Sequence, residues 1–268
     1  MVTFMTGREL STMSYAETSS GTAGRVPHTK TADAAQAPVR DARLLAGLTG
    51  LLFLVTFATS IPALFVFYGP ALGDPAFVHG GSFSRSVAVG AILEMVLIAA
   101  NIGTALTLYP VLREACPVLA PAFVAARIVE SGFIAVGIVA LMALNTLRAA
   151  SPAIDPTALT AVGAGLVAVH DWTFRLGPGV VVGVGNGLIL GWMMWKTRLV
   201  PRALSVLGLI GGPALLTAGA FVTLGQIEAG STAQAIATIP EFFWELFLGL
   251  WLLVRGFDRS ALDRLRAL

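Results

Sequence analysis

Six stretches of this sequence are apolar over most of their length, at about residues 44–68, 87–109, 119–147, 177–195, 203–224 and 239–254. Crossing a bilayer as a helix takes about 20 such residues. Backbone polar groups in lipid must be satisfied within the segment, so a run of this kind winds as a helix. The pattern predicts an all-α integral membrane bundle of six transmembrane helices. Gly69-Pro70 closes the first run and Pro110 closes the second. The sixth is short, about 24 Å at 1.5 Å per residue, which predicts Glu241 in a headgroup region and Glu245 buried.

A seventh apolar piece runs from Thr157 to Val169, just before His170-Asp171-Trp172. Its length suits a short interfacial helix near 157–170 better than a span. Asp155-Pro156-Thr157 supplies a helix start, because Pro fits the first turn. Residues 1–40 are rich in Ser, Thr, Ala and Gly and lack periodicity, which predicts a disordered tail. They show no signal-peptide pattern, and Met13 offers an alternative start. The expected organisation is a tail at 1–40, a membrane domain at 41–257 and a short basic tail at 258–268.

Composition narrows the class further. The 268 residues are 56% hydrophobic and only 12% charged, with a mean hydropathy of +0.82. Soluble domains carry roughly twice that charged share. A net charge of +2 offers no basic surface for nucleic acid, so the bilayer is the expected partner. Cys116 is the lone cysteine, so no intrachain disulfide can form. Arginine far outnumbers lysine, and Ala and Gly abound, a bias associated with bacterial genomes.

The placement of charge predicts topology. With the N-terminus inside, the cytoplasmic side holds Arg40, Arg43, Arg113, Lys196, Arg198, Arg202, Arg255, Arg259, Arg264 and Arg266. The outside holds Arg85, Arg148 and Arg175. This asymmetry predicts a bacterial inner-membrane protein with both termini cytoplasmic. Tyr68, Tyr109, Trp192 and Trp195 fall at the expected interfaces, where amphipathic rings settle.

Ionisable residues inside the runs carry the candidate chemistry, because charge is costly in lipid and is retained where it is paired or lines a polar path. Glu94, Arg127, Glu130 and Glu245 are the leading set, with Asn101 and Asn186 as polar neighbours. Arg127 and Glu130 are three apart and share a helix face. The set reads equally as a relay or binding site and as a neutralised network that fixes helix packing. Asn101 precedes Arg113 by the spacing at which Asn186 precedes Arg198, a coincidence too small to count as a repeat.

Glycine and proline mark two further features. Gly179, Gly183, Gly187 and Gly191 recur every four residues, a ridge on which a partner helix can approach closely. Gly211-Gly212-Pro213 lies mid-run, and Pro removes a backbone donor there, which predicts a kink or break. His170 and Asp171 are outer-face candidates beside Glu241, but their spacing with His79, Asp74 and Asp155 is not metal-like. No metal, cofactor or catalytic motif is expected.

One resemblance stands on quoted text. The segments are His170-Asp171-Trp172-Thr173-Phe174, Leu176-Gly177-Pro178-Gly179, Gly185-Asn186-Gly187-Leu188 and Leu199-Val200-Pro201-Arg202. Leu207-Gly208-Leu209-Ile210-Gly211-Gly212-Pro213 and Ile239-Pro240-Glu241-Phe242-Phe243-Trp244-Glu245 follow. Over residues 40 to 257 the chain resembles the bacterial multi-pass membrane family called DUF4386. That resemblance implies a membrane protein and assigns no catalytic residue. Three function classes remain. Binding or transport of a small molecule or ion ranks first, then a structural or accessory subunit, then a membrane-embedded enzyme.

Overall fold

The computed structural model describes residues 37–267. The tail expected at 1–40 falls almost wholly outside the described residues. Every regular element among the described residues is helical. Six helices are long and apolar enough to cross a membrane: Asp41–Phe67, Arg85–Leu112, Leu119–Ala153, Pro156–Thr197, Arg202–Thr223 and Thr232–Val254. We call these the first to sixth spans. The all-α class and the count of six agree with the sequence pattern.

Side-chain caps set several starts, each satisfying an orphan N–H of a first turn. The Ser84 hydroxyl accepts from the Val87 amide at 3.5 Å, and Ser231 accepts from the Gln234 amide at 3.4 Å. Asp155 accepts from the Ala158 amide at 2.9 Å, with Pro156 in the first turn as expected. At the other end of the sixth span, the Arg43 guanidinium caps three carbonyls. It donates to Leu252 at 3.1 Å and to Leu253 and Val254 at 3.0 Å. A cation is favoured at that negative helix end. The first span is thereby tied to the sixth, and their backbones touch. A Cβ on Gly50 would lie 2.4 Å from the Leu253 nitrogen.

Three expectations change in detail. The helix expected near 157–170 forms, but it is not separate from the fourth span. The chain is helical without interruption from Pro156 to Thr197, 42 residues. At Gly177-Pro178-Gly179 the hydrogen-bond ladder widens. Pro178 has no N–H to give to Phe174, and Gly177–Val181 and then Gly183–Leu190 are wound as π-helix. Such wide turns keep a helix continuous where the four-residue ladder cannot run, and they gather at functional sites. Tertiary contacts hold the leading part in place. Gly163 packs on Val78, and Gly137 of the third span faces Thr173 and His170.

The break expected at Gly211-Gly212-Pro213 is absent, and Arg202–Thr223 is one α-helix. The two glycines instead let neighbouring backbones approach. The C-terminal piece read as a tail contains a helix, Arg259–Arg266, capped by Asp258. Its Ala261 is buried, with Leu262 and Leu265 against the core. The Asp258 amide donates to Leu199 at 2.9 Å. That contact anchors the piece beside Arg198, which ends the fourth span in a left-handed conformation.

Two apolar clusters make the core. One lies toward the Arg-rich end and includes Phe53, Leu108, Phe123, Trp244 and Leu248. The other holds Ala63, Tyr68, Val87, Leu141 and Leu159. Along each of the first three spans, buried polar residues fill the interval between the clusters. Thr56 and Thr59 do so on the first, Asn101 and Thr104 on the second, and Arg127, Glu130 and Ser131 on the third. This polar belt within an apolar bundle positions the site.

Candidate functional site

A cavity of about 430 Å³ occupies the belt. All six spans contribute walls. Thr56, Glu94, Arg127, His170, Leu215 and Glu241 come from the first to the sixth in turn. Of the residues singled out from sequence, Glu94, Asn101, Arg127, Glu130, His170, Glu241 and Glu245 all line this one space. Asn186 sits just behind it, donating its amide N–H to Glu245. Asp171, Pro213 and the ridge glycines do not line it.

Arg127 and Glu130 pair as their spacing implies. The guanidinium Nη1 lies 2.7 Å from the Glu130 Oε2, and both residues are buried. Asn101 donates to the other Glu130 oxygen at 2.9 Å, and Arg127 Nε donates to Thr104 at 3.3 Å. Phe53 and Phe123 flank the guanidinium with ring centroids at 5.6 and 6.0 Å. Arg127 Nη2 has no hydrogen-bond partner among the described residues. Asn101 and Asn186 thus share a role that their spacing only hinted at: each donates to a carboxylate on a later span.

The expected contrast between the sixth-span carboxylates does not hold, because both line the cavity. Glu241 is the buried one, at 2% exposure, while Glu245 is half-buried. Sequence depth put Glu241 in the headgroup region because the apolar run begins at Ile239. The helix in fact begins at Thr232, so Glu241 lies nine residues in, about 13 Å along the axis. Its carboxylate rests between glycines: a Cβ on Gly211 would lie 2.7 Å from Oε2, and one on Gly187 would lie 2.8 Å from it. Neither oxygen of Glu241 has a hydrogen-bond partner among the described residues.

The glycine ridge is used within the chain. Cβ atoms on Gly183, Gly187 and Gly191 would strike Gly212 or Leu209 of the fifth span at 2.9, 2.4 and 3.3 Å. Gly179 presents its carbonyl to Gly219 instead, 3.1 Å from where a Cβ there would stand. Trp244 fills the space beside Gly208 and donates its indole N–H to the Asn186 carbonyl at 2.9 Å.

His170 belongs to the fourth span and is buried inside the bundle, not on an outer loop. Its ring meets the Tyr68 ring edge-on at 5.7 Å. Asp171, one residue on, is more exposed and lies between His170 and Arg175, with one carboxylate oxygen 3.8 Å from His170 Nδ1 and the other 3.7 Å from Arg175. Tyr68 was read as an interfacial anchor. It is fully buried, and its phenol donates to Glu94 at 2.9 Å. Asn145 was not singled out at all. It is buried and clasps the Ser84 backbone, accepting from N at 2.7 Å and donating to O at 2.9 Å. A polar residue in an apolar run was the only signal for it.

Among the described residues, no three His, Cys, Asp or Glu side chains are placed to hold a metal ion. The cavity offers one buried ion pair, several carboxyl groups beyond it, hydroxyls and an apolar, aromatic wall. The family model described as Domain of unknown function (DUF4386) matches residues 48–256. No curated protein and no solved structure matches the chain at a significant level.

Proposed function

The chain belongs to the DUF4386 family of unknown function, and from its multi-pass membrane fold we propose that the central cavity binds a small molecule or ion, on a transport path or as a receptor site. The observation that carries this reading is Glu241. The residue lines a 430 Å³ space, and its carboxyl group is buried with no hydrogen-bond partner among the described residues. A network whose only task is to fix helix packing satisfies its members, because an unmet buried charge is costly. The Arg127–Glu130 pair with Asn101 meets its needs within itself except at Arg127 Nη2, and acts as the floor of the site. Glu241, Glu245 and Glu94 are the groups that meet the ligand. Asn186 holds Glu245 from behind.

The clustering of Arg43, Arg113, Lys196, Arg202 and Arg255 at one end of the bundle supports a cytoplasmic placement of that end in a bacterial inner membrane. The cavity then lies between mid-membrane and the outer surface. A ligand-binding cavity must be reachable by water. In a Cys116→Ala background, Ser60→Cys and Thr238→Cys place thiols on its wall, and Val139→Cys places one on the exposed apolar flank. Maleimide needs thiolate and therefore water. Labelling of the two wall positions in membranes, with Val139→Cys unlabelled, is the expected result. Unlabelled wall positions would leave the accessory role as the better reading.

A further inference from the structure

The cavity has a charge imbalance and a greasy mouth. Four carboxyl groups line it, those of Glu94, Glu130, Glu241 and Glu245, against a single guanidinium, Arg127. Arg127 is committed to Glu130 at 2.7 Å. Among the described residues the other three find only neutral hydrogen-bond partners or none: Tyr68 for Glu94, Asn186 for Glu245, and nothing for Glu241. A buried carboxylate in that position is neutralised by a proton or by a cation brought from outside.

The rim is of the opposite character. Ile61, Phe65, Phe174 and Phe242 line the cavity, yet each is exposed on the flank of the bundle, Phe65 to 73%. All four lie within membrane-spanning helices. Apolar residues on that flank face lipid, so the cavity reaches the bilayer sideways through an aromatic rim. Such rings hold an apolar body and also attract a cation over their faces.

We propose that the site takes an amphipathic organic cation, a protonated amine or onium group carried on an apolar body, entering from the lipid through this rim. The charged head seats against Glu241 and Glu245, and the apolar body stays among Phe65, Phe174 and Phe242. This rests on the cavity reading above. Small inorganic cations fit less well, because the rim offers them no oxygen ligands. Anionic amphiphiles are repelled by the unpaired carboxylates.

The test uses the full chain in lipid nanodiscs, with empty nanodiscs as the partition control. Three probes separate the contributions: tetraphenylphosphonium, its near-isosteric anion tetraphenylborate, and tetramethylammonium, which has the charge without the body. Saturable binding of tetraphenylphosphonium alone is expected. Glu241→Gln and Glu245→Gln should each weaken it about tenfold, the scale of one lost charge contact. Phe65→Ala should weaken it with melting temperature unchanged, since that ring is exposed. Equal binding of tetraphenylborate would overturn charge selection, and equal binding of tetramethylammonium would overturn the role of the rim. If Ser60→Cys labels and tetraphenylphosphonium does not bind, the ligand class is wrong and the cavity reading stands. If Ser60→Cys does not label, both fall.

Discussion

Arg127 Nη1 lies 2.7 Å from Glu130 Oε2 one helical turn away, inside a bundle core that gives the guanidinium two phenyl rings, one threonine hydroxyl and, among the described residues, no other anion at hydrogen-bond distance. Breaking such a pair strands a charge, whereas removing both members does not. Arg127→Leu is therefore expected to cost about 3–5 kcal/mol. The double change Arg127→Leu with Glu130→Leu should recover most of that loss. Thermal unfolding of the purified chain in detergent reads both. Additive single effects would show that the pair is not coupled.

Gly211 is held tightly. A Cβ there would come within 2.5 Å of the Glu241 amide nitrogen, on a backbone that cannot swing aside. Gly211→Ala should push the fifth and sixth spans apart and lower stability by about 1–3 kcal/mol, as overpacking does. Gly165, in the fourth span, has open space around its Cβ position. Gly165→Ala should be neutral or stabilising by up to about 1 kcal/mol through helix propensity. Equal melting temperatures for the two variants would refute the close approach.

Tyr68→Phe deletes the Glu94 hydrogen-bond donor found among the described residues, at 2.9 Å, while keeping the ring against Gly90 and His170. The stranded carboxyl group should cost about 1–3 kcal/mol. Adding Glu94→Leu to Tyr68→Phe should restore stability, because nothing is then left unsatisfied. Melting curves of the single and double variants decide it, and a further loss in the double would mean that Glu94 has another essential partner.

Topology is open to direct measurement. Reporter fusions after Arg202 and at the C-terminus should report cytoplasm, and fusions near Asp155 and Glu228 the opposite side. An even number of spans, with Pro156 to Thr197 counted as one, predicts that both ends of the membrane domain fall on one side. Termini reported on opposite sides would require an odd number of crossings.

Cys116 lies between the second and third spans and is buried. Burial pushes its thiol above the usual range, while the Lys196 ammonium pulls the other way. The thiolate is the reactive form, so alkylation at neutral pH should be slow and should accelerate as pH rises. Lys196→Gln removes the opposing charge and should slow alkylation further at a given pH. Fast labelling of the native protein at neutral pH would contradict this environment.

The apolar pattern was enough for the class and the count of spans, because the bilayer imposes length and helicity locally on each segment. The Arg127–Glu130 pair was equally legible, since three residues along a helix always share a face. The polar belt was visible as residues but not as one place. That Glu94, His170 and Glu241 line the same space depends on how six helices pack, and nothing in one helix states that. Where tertiary contacts act, local reading went astray. The piece near 157–170 reads as a short interfacial helix, and the chain instead runs on through Gly177-Pro178-Gly179 on π turns packed against Phe133 of the third span. Gly211-Gly212-Pro213 spells a break, and the neighbours turn its glycines into a close crossing that lodges Glu241. Sequence alone determined which residues must leave water; the packing of the spans decided which of them meet around the cavity.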